Sequence, residues 1–166
     1  MCLCADAPAR ARSNIRLAVL DLDGGVVGGA LVAAASHAPY SVTVLPASTT
    51  LTRLVADVDH GDFHAALVAQ PGATAALAAA RAAGAASAYD ATGAVTLLFD
   101  EGGCGAALSS MLRASSAQLV AAASAGVERR LFNTSVAPAV GLSVLPLHPV
   151  AHAGMNLSGG IAFILC

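Results

Sequence analysis

The sequence contains no lysine, and charged residues of either sign are few. They make up 11% of the 166 residues, all eight basic side chains are arginines, and the formal net charge is −2. Because the arginines are scattered, they form no basic stripe that could neutralise the phosphates of a nucleic acid. We therefore expect no nucleic-acid partner. A hydrophobic content of 57% also excludes general disorder, which requires low hydrophobicity and a high net charge.

Long hydrophobic runs are absent too, since no stretch reaches the roughly 20 consecutive apolar residues of a membrane-spanning helix. Residues 1–14 are polar and interrupted, and we expect a flexible N-terminal segment there rather than a secretory signal. From Leu131 to Cys166, however, no formally charged residue occurs, and the last eight residues become steadily more apolar. This end of the chain predicts either the first turns of a membrane helix or a buried C-terminal strand or helix.

Residues that bind metals or cofactors are not grouped in the sequence. The four cysteines show none of the cysteine or histidine spacings typical of zinc sites. His148 and His152 are four residues apart, but Pro149 between them breaks the helix that this spacing would need. The glycine-rich run after Asp23 lacks the phosphate-binding patterns of nucleotide sites. We therefore predict no metal and no cofactor.

Apolar strands and helices alternate through most of the chain. Apolar runs that end in turn residues predict four strands, at Ile15–Asp23, Tyr40–Pro46, Phe63–Gln70 and Ala94–Asp100. We predict helices from about Gly29 to Ala38, after an N-cap at Ser48, and from Gly72 to at least Gly84. Apolar residues at every third or fourth position from Leu108 to Leu131 predict one long helix of about 25 residues.

This order of elements predicts an α/β domain over residues 15–131, with a sheet of about four strands, packed helices and one long C-terminal helix. A length of 166 residues suits a single domain. Residues 132–166 contain Pro138, Pro146 and Pro149 and are expected to form loop or extended chain that leads to a truncated membrane helix.

One motif points to an enzyme. Asp21-Leu22-Asp23-Gly24 follows a hydrophobic strand, as in the haloacid-dehalogenase phosphotransferases, where the first aspartate is a nucleophile and the second an acid or base beside Mg²⁺. That family expects threonine where Gly25 stands, and it expects a lysine, which this chain lacks. A Mg²⁺-dependent phosphatase that uses this turn is therefore the alternative function, and we assign no catalytic residue in the leading hypothesis. The other interpretation of both aspartates is turn chemistry, with side chains accepting backbone N–H groups.

Four acidic residues are candidates for a ligand site. Asp21, Asp23, Asp100 and Glu101 all fall at the ends of predicted strands, where α/β sheets tend to bind ligands.

Several short motifs, taken in order, resemble the extracytoplasmic domain of a membrane-protein family. They are the turn Leu20-Asp21-Leu22-Asp23-Gly24, Gly61–Pro71 followed by Ala73–Leu77, the blocks Tyr89–Val95 and Phe99–Gly102, and the proline-bearing Leu145–Val150. The family contains the fungal nitrosoguanidine-resistance proteins and, more distantly, the bacterial phage-infection-protein type of ABC-2 permease.

The resemblance implies a non-catalytic domain, on the extracytoplasmic side, of a multi-pass membrane protein linked to export of, or resistance to, small toxic compounds. Family members normally carry a membrane helix before the first strand and several after the domain, so we expect this chain to be a fragment that is anchored through segments it lacks. A homo-oligomer, or contact with other domains of the same protein, would bury the apolar faces of such a domain. A soluble alanine-rich interaction domain is the remaining alternative.

Overall fold

A computed structural model describes residues 15–83, 89–130 and 139–149. Within them the chain forms one mixed sheet with helices on both faces, which confirms the predicted α/β class. The N-terminal segment 1–14 and the charge-free end from residue 150 onward lie outside the described residues, so the expectations for them stay predictions.

The sheet has five strands, which are β1 (Arg16–Asp21), β2 (Ser41–Leu45), β3 (Ala65–Ala69), β4 (Val95–Phe99) and β5 (Leu142–Pro146). Their order across the sheet is β2-β1-β3-β4-β5. Strands β1, β2 and β3 are parallel, β4 runs antiparallel to β3, and β5 is parallel to β4. The first three strands therefore finish at one end of the sheet, here called the β1 end, and the last two finish at the opposite end, the β4 end.

Four helices connect these strands, and they are α1 (Val26–Ala35), α2 (Leu51–Asp59), α3 (Ala73–Ala82) and α4 (Glu101–Arg130), with a short 3₁₀ turn at Ala91–Gly93. Helix α2 is capped by Thr50, whose hydroxyl accepts the N–H of Arg53 at 3.2 Å, and not by Ser48 as predicted. The long helix begins earlier than Leu108, because Asp100 caps a first turn that contains glycines. It is interrupted at Gly105, where φ is 67° and ψ is 163°.

Strand β5 is an addition to the four predicted strands. It lies in the segment that the sequence indicated to be loop or extended chain, and it ends at Pro146. Proline is tolerated there because β5 is an edge strand and Pro146 is its last residue, so no central ladder hydrogen bond is lost.

Side chains alternate between the two faces of the sheet and build two cores. One face carries Leu17, Val19, Leu67 and Phe99, which pack with α1, α3 and α4. The other face carries Ala18, Leu20, Val68 and Leu98, which pack beneath Leu54 and Val58 of α2. Each fully buried leucine or phenylalanine contributes roughly 1.5–3 kcal/mol through the hydrophobic effect. Helices α1 and α3 therefore lie on the same side of the sheet, which brings their N-termini together at the β1 end.

No helix among the described residues is long and apolar enough to span a bilayer.

Candidate functional site

The Asp-Leu-Asp-Gly motif forms the turn between β1 and α1. Asp21 is the last residue of β1, and its Oδ1 accepts the backbone N–H groups of Asp23 and Gly24, each at 2.9 Å. Gly24 adopts a positive φ of 61°, which a residue with a side chain would rarely take. The carboxylate of Asp21 also lies against the first turn of α1, where a Cβ on Gly28 would come within 2.5 Å of Asp21 Oδ2. Asp21 therefore shapes the turn and limits how closely α1 can approach.

Asp23 joins the N-termini of two helices. Its Oδ2 accepts the N–H groups of Gly25 and Gly28 at the start of α1, at 3.1 and 3.3 Å. Its Oδ1 accepts the N–H of Thr74 in the first turn of α3 at 2.8 Å, and the Thr74 hydroxyl donates to Oδ2 at 2.5 Å. Thr74 Oγ1 in turn accepts the N–H of Val27 at 3.0 Å. One carboxylate and one hydroxyl thus satisfy N–H groups that both helices would otherwise leave without partners.

Asp23 and Thr74 lie at the position where open α/β sheets generally bind ligands. The strand order reverses between β1 and β3, and in open α/β folds the crevice beside such a reversal holds a ligand, often an anion at a helix N-terminus. Here α1 and α3 lie on the same face, and Asp23 fills the space between their N-termini. The carboxylate of the protein itself takes the place that a bound anion would take.

Hydrogen bonding holds Asp23 in its charged form. Burial raises the pKa of Asp23, but the bonds from the Thr74 hydroxyl, the Thr74 N–H and the N–H groups of Gly28 and Gly25 lower it by more, so the pKa lies below 3.8. The pKa of Tyr89 is raised by burial and by the negative charges of Asp23 and Asp90. The Tyr89 hydroxyl donates to the carbonyl of Ala139 at 2.8 Å. These carboxylates and this phenol are therefore held in their ordinary ionisation states at neutral pH.

The other two candidate residues lie at the β4 end, because β4 is antiparallel to β3. Asp100 follows β4 and accepts the N–H groups of Gly102 and Gly103, both at 3.0 Å, which caps the first turn of α4. Glu101 is buried and pairs with Arg113 at 3.0 Å. The Arg113 guanidinium also lies 5.1 Å from the ring centre of Phe99. The structure thus separates the four candidates into two pairs at opposite ends of the sheet.

His148 lies beside two carboxylates at the β4 end, those of Asp100 and Asp59. Its Nδ1 lies 3.3 Å from Asp100 Oδ1 and 3.5 Å from Asp59 Oδ1. Both carboxylates therefore face the same ring nitrogen. In the part of the chain that the structure describes, no three histidine, cysteine, aspartate or glutamate side chains are grouped so that they could hold a metal ion.

Three partners of these carboxylates were not predicted from the sequence. Thr74 stands in the first turn of a predicted helix, which was a usable signal for a capping side chain. Arg113 is 12 residues from Glu101 and His148 is 48 residues from Asp100, and nothing in the sequence pattern links either pair. Whether any of the four acidic residues contacts a ligand stays a prediction, and the roles that the structure shows for Asp21, Asp23 and Asp100 are capping and turn formation.

Comparisons with known proteins give one likeness in fold. No protein-family model matches the sequence, and the comparison with curated proteins finds no match. Among solved structures, the chain is similar to a domain of a protein provisionally classed as an ABC type-2 transporter, from Thermotoga maritima MSB8. The sequences are 14% identical, the TM-score is 0.55, and the match covers 87% of this chain and 99% of that domain. At this identity the likeness shows a shared fold.

Proposed function

We propose that this chain is a non-catalytic domain of a multi-pass membrane protein of the ABC-2 transporter type. The observation that carries the proposal is the shared fold, because the match covers 99% of a domain from a protein provisionally placed in that class. The motifs in the sequence resemble the same group independently, and they occur in the same order along the chain. The motif resemblance and the backbone fold therefore support the same proposal.

The arrangement of the Asp-Leu-Asp-Gly turn supports a structural role instead of catalysis. Asp21 Oδ1 already accepts two turn N–H groups, and both oxygens of Asp23 accept bonds from the starts of α1 and α3. In the phosphatase alternative, Asp23 would be the acid or base and would have to exchange a proton during the reaction. Asp23 instead has a lowered pKa and four donors around it. The phosphatase alternative therefore gains no support from this geometry.

Two finer parts of the proposal come from the sequence resemblance. We place the domain on the extracytoplasmic side, and we link the protein to export of, or resistance to, small toxic compounds. The charge-free stretch from residue 131 onward, which follows the last turn of α4, supports an approach to a bilayer through the C-terminal end. The exposed apolar side chains of β2 and β5, such as Val44 and Leu145, suit contact with a second copy or with other domains of the same protein.

The side of the membrane on which the domain lies can be tested with the substitution Arg53→Lys. This sequence contains no lysine, so the substitution would introduce a single one. Arg53 is 73% exposed on α2, so a lysine there would be reachable by an amine reagent. In intact cells that express the full-length gene product, a membrane-impermeant reagent should label the Arg53→Lys protein more than the unsubstituted protein. Permeabilised cells serve as the control for reactivity. If the extra labelling of the Arg53→Lys protein appeared only after permeabilisation, the domain would lie inside the cell, and the extracytoplasmic proposal would be contradicted.

The catalytic alternative has its own experiment. The purified 166-residue chain is assayed for Mg²⁺-dependent hydrolysis of p-nitrophenyl phosphate beside the Asp21→Asn variant. We expect no activity above buffer from either protein. Hydrolysis by the wild type that Asp21→Asn removes would overturn the non-catalytic assignment.

A further inference from the structure

An apolar groove runs between α1 and α4 on the outer side of the domain. Its volume is about 630 Å³, within the range of roughly 300–1,000 Å³ that is typical of small-molecule sites. Alanines of α1 and Ala122 of α4 make up much of its wall, and Leu119, Pro39 and Tyr40 complete the apolar part. His37 and Gln118 add two polar side chains to the lining.

The groove exists because small side chains line the two helices. A Cβ added to Gly126 would be 3.9 Å from the Cβ of Ala30, so the helices approach closely at this point. At the other end, the Tyr40 hydroxyl donates to the carbonyl of Ser115 at 3.1 Å. Between these two contacts, Ala122 is exposed and too short to fill the space beside α1. The pairing of Ala30 with Gly126 and of Tyr40 with Ser115 also shows that α1 and α4 are antiparallel.

The charges at the groove are all positive. Arg129 and Arg130 line it near the end of α4, and none of its described lining residues is a carboxylate. The neighbouring Glu128 is turned to another side, where its Oε1 accepts the Ser124 hydroxyl at 2.9 Å and the N–H of Ala139 at 3.3 Å. Within the described residues neither arginine makes an ion pair, and Arg129 Nε donates to the carbonyl of Ala125 at 3.1 Å.

The helix dipoles do not cancel this positive charge. The C-terminus of α4 carries roughly half a negative charge, which is less than the two guanidinium charges beside it. Because α1 is antiparallel to α4, its N-terminus lies toward the same end, but the Asp23 carboxylate caps that N-terminus, so it adds no positive charge to the groove. The groove thus combines an apolar channel with one cationic end.

We propose that this groove binds a single-chain anionic amphiphile, of the type of a long-chain carboxylate, with its tail along the alanine wall and its head group at Arg129 and Arg130. A neutral apolar ligand would leave both guanidinium groups unused, and a cationic amphiphile would be repelled by them. The inference comes from the groove itself and does not require the transporter proposal. If both hold, it names the chemistry of a compound that the membrane protein would handle.

Binding of dodecanoate to the purified 166-residue chain, measured by isothermal titration calorimetry below the critical micelle concentration, tests the proposal. We expect saturable binding of one molecule per chain. Each added methylene should strengthen the affinity about fourfold from decanoate to dodecanoate, as buried methylenes generally do. Replacing both groove arginines (Arg129→Gln with Arg130→Gln) should weaken binding about tenfold through loss of charge-assisted hydrogen bonds, whereas Arg53→Gln on α2 should leave it unchanged.

A pair of adjacent substitutions on α4 tests the location. Ala122 lines the groove and Ala121 does not, although both are exposed. Ala122→Phe should abolish binding and Ala121→Phe should leave it intact, with circular dichroism melting curves showing that both variants fold.

Three results would overturn the proposal. The first is no saturable binding of dodecanoate by the folded wild-type chain. The second is equal affinity for dodecanoate, dodecanol and dodecyltrimethylammonium, because the arginines would then play no part. The third is a dimer that light scattering detects and that Ala122→Phe dissociates without any dodecanoate binding, because the occupant would then be a second copy of the chain.

Discussion

Replacing Gly28 by alanine should lower the free energy of unfolding, whereas the same change at the next residue, Gly29, should raise it. Both glycines lie in α1, where alanine is favoured over glycine by roughly 0.5–1 kcal/mol. A Cβ on Gly29 would meet nothing within 4 Å, so Gly29→Ala keeps that gain. A Cβ on Gly28 would overlap the Asp21 carboxylate and displace it.

The displacement has a calculable effect. Asp21 Oδ1 would lose its bonds to the N–H groups of Asp23 and Gly24, both of 2.9 Å. Hydrogen bonds to a charged group contribute about 1.5 kcal/mol each at the lower end of their range. Subtracting a helix gain of about 1 kcal/mol, we expect Gly28→Ala to lower the free energy of unfolding by about 2 kcal/mol. Urea denaturation followed by circular dichroism measures both variants.

A double-mutant cycle identifies the cause. In an Asp21→Ala background the overlap is absent, so Gly28→Ala should become stabilising by about 1 kcal/mol, as at Gly29. The coupling free energy between positions 21 and 28 would then be about 3 kcal/mol. Additive effects of the two substitutions, or equal effects of alanine at Gly28 and Gly29 in the wild type, would refute the structural role that we assign to Asp21.

Three further predictions concern polar groups that are buried or partly buried. The pKa of Asp23 is lowered in the folded chain, so its contribution to stability is complete above the ordinary value of 3.8 and is lost as the pH falls through the folded-state pKa. In Asp23→Asn, the denaturation midpoint should therefore lose the part of its decrease at acidic pH that comes from protonation of this carboxylate. Burial raises the pKa of Tyr40 to about 12, and that of Tyr89 is also raised, so absorbance at 295 nm should show neither phenol ionising near pH 10 until the chain unfolds. The stability that comes from keeping the Tyr40 phenol neutral is complete below about pH 10 and is lost as the pH approaches 12. Measuring the free energy of unfolding at alkaline pH checks this. Ser116→Ala should stabilise the folded chain by up to about 1 kcal/mol, because this buried hydroxyl has no partner among the described residues. Ser124→Ala should destabilise it by about 1–3 kcal/mol, because Ser124 Oγ accepts the N–H groups of Ala139 and Val140. Thermal melts should therefore show opposite shifts for the two variants.

The local elements of this fold were predictable because each depends on a short stretch of sequence. The apolar run before Asp21 and the glycines after it defined β1 and its turn, and the three-to-four-residue periodicity from Leu108 defined most of α4. Strand β5 was not predicted, since Pro146 is typical of loops and only its place at the end of an edge strand makes it acceptable.

The site was less predictable because it depends on where distant elements pack. The turn role of Asp21 and Asp23 followed from their sequence, but the bond from Thr74 to Asp23 requires α1 and α3 to lie on the same face of the sheet. Asp100 and Glu101 lie at the other end of the sheet from Asp21 because β4 is antiparallel, and strand direction cannot be inferred from the apolar pattern of a strand.

Membrane retention of the full-length gene product tests whether this chain belongs to a multi-pass membrane protein. Cells that express the complete gene are lysed, and their membranes are washed with alkaline carbonate, which releases proteins that are only peripherally attached. We expect the product to remain in the membrane pellet and to be released by detergent. Recovery of the full-length product in the aqueous fraction would contradict the assignment of this chain to a multi-pass membrane protein.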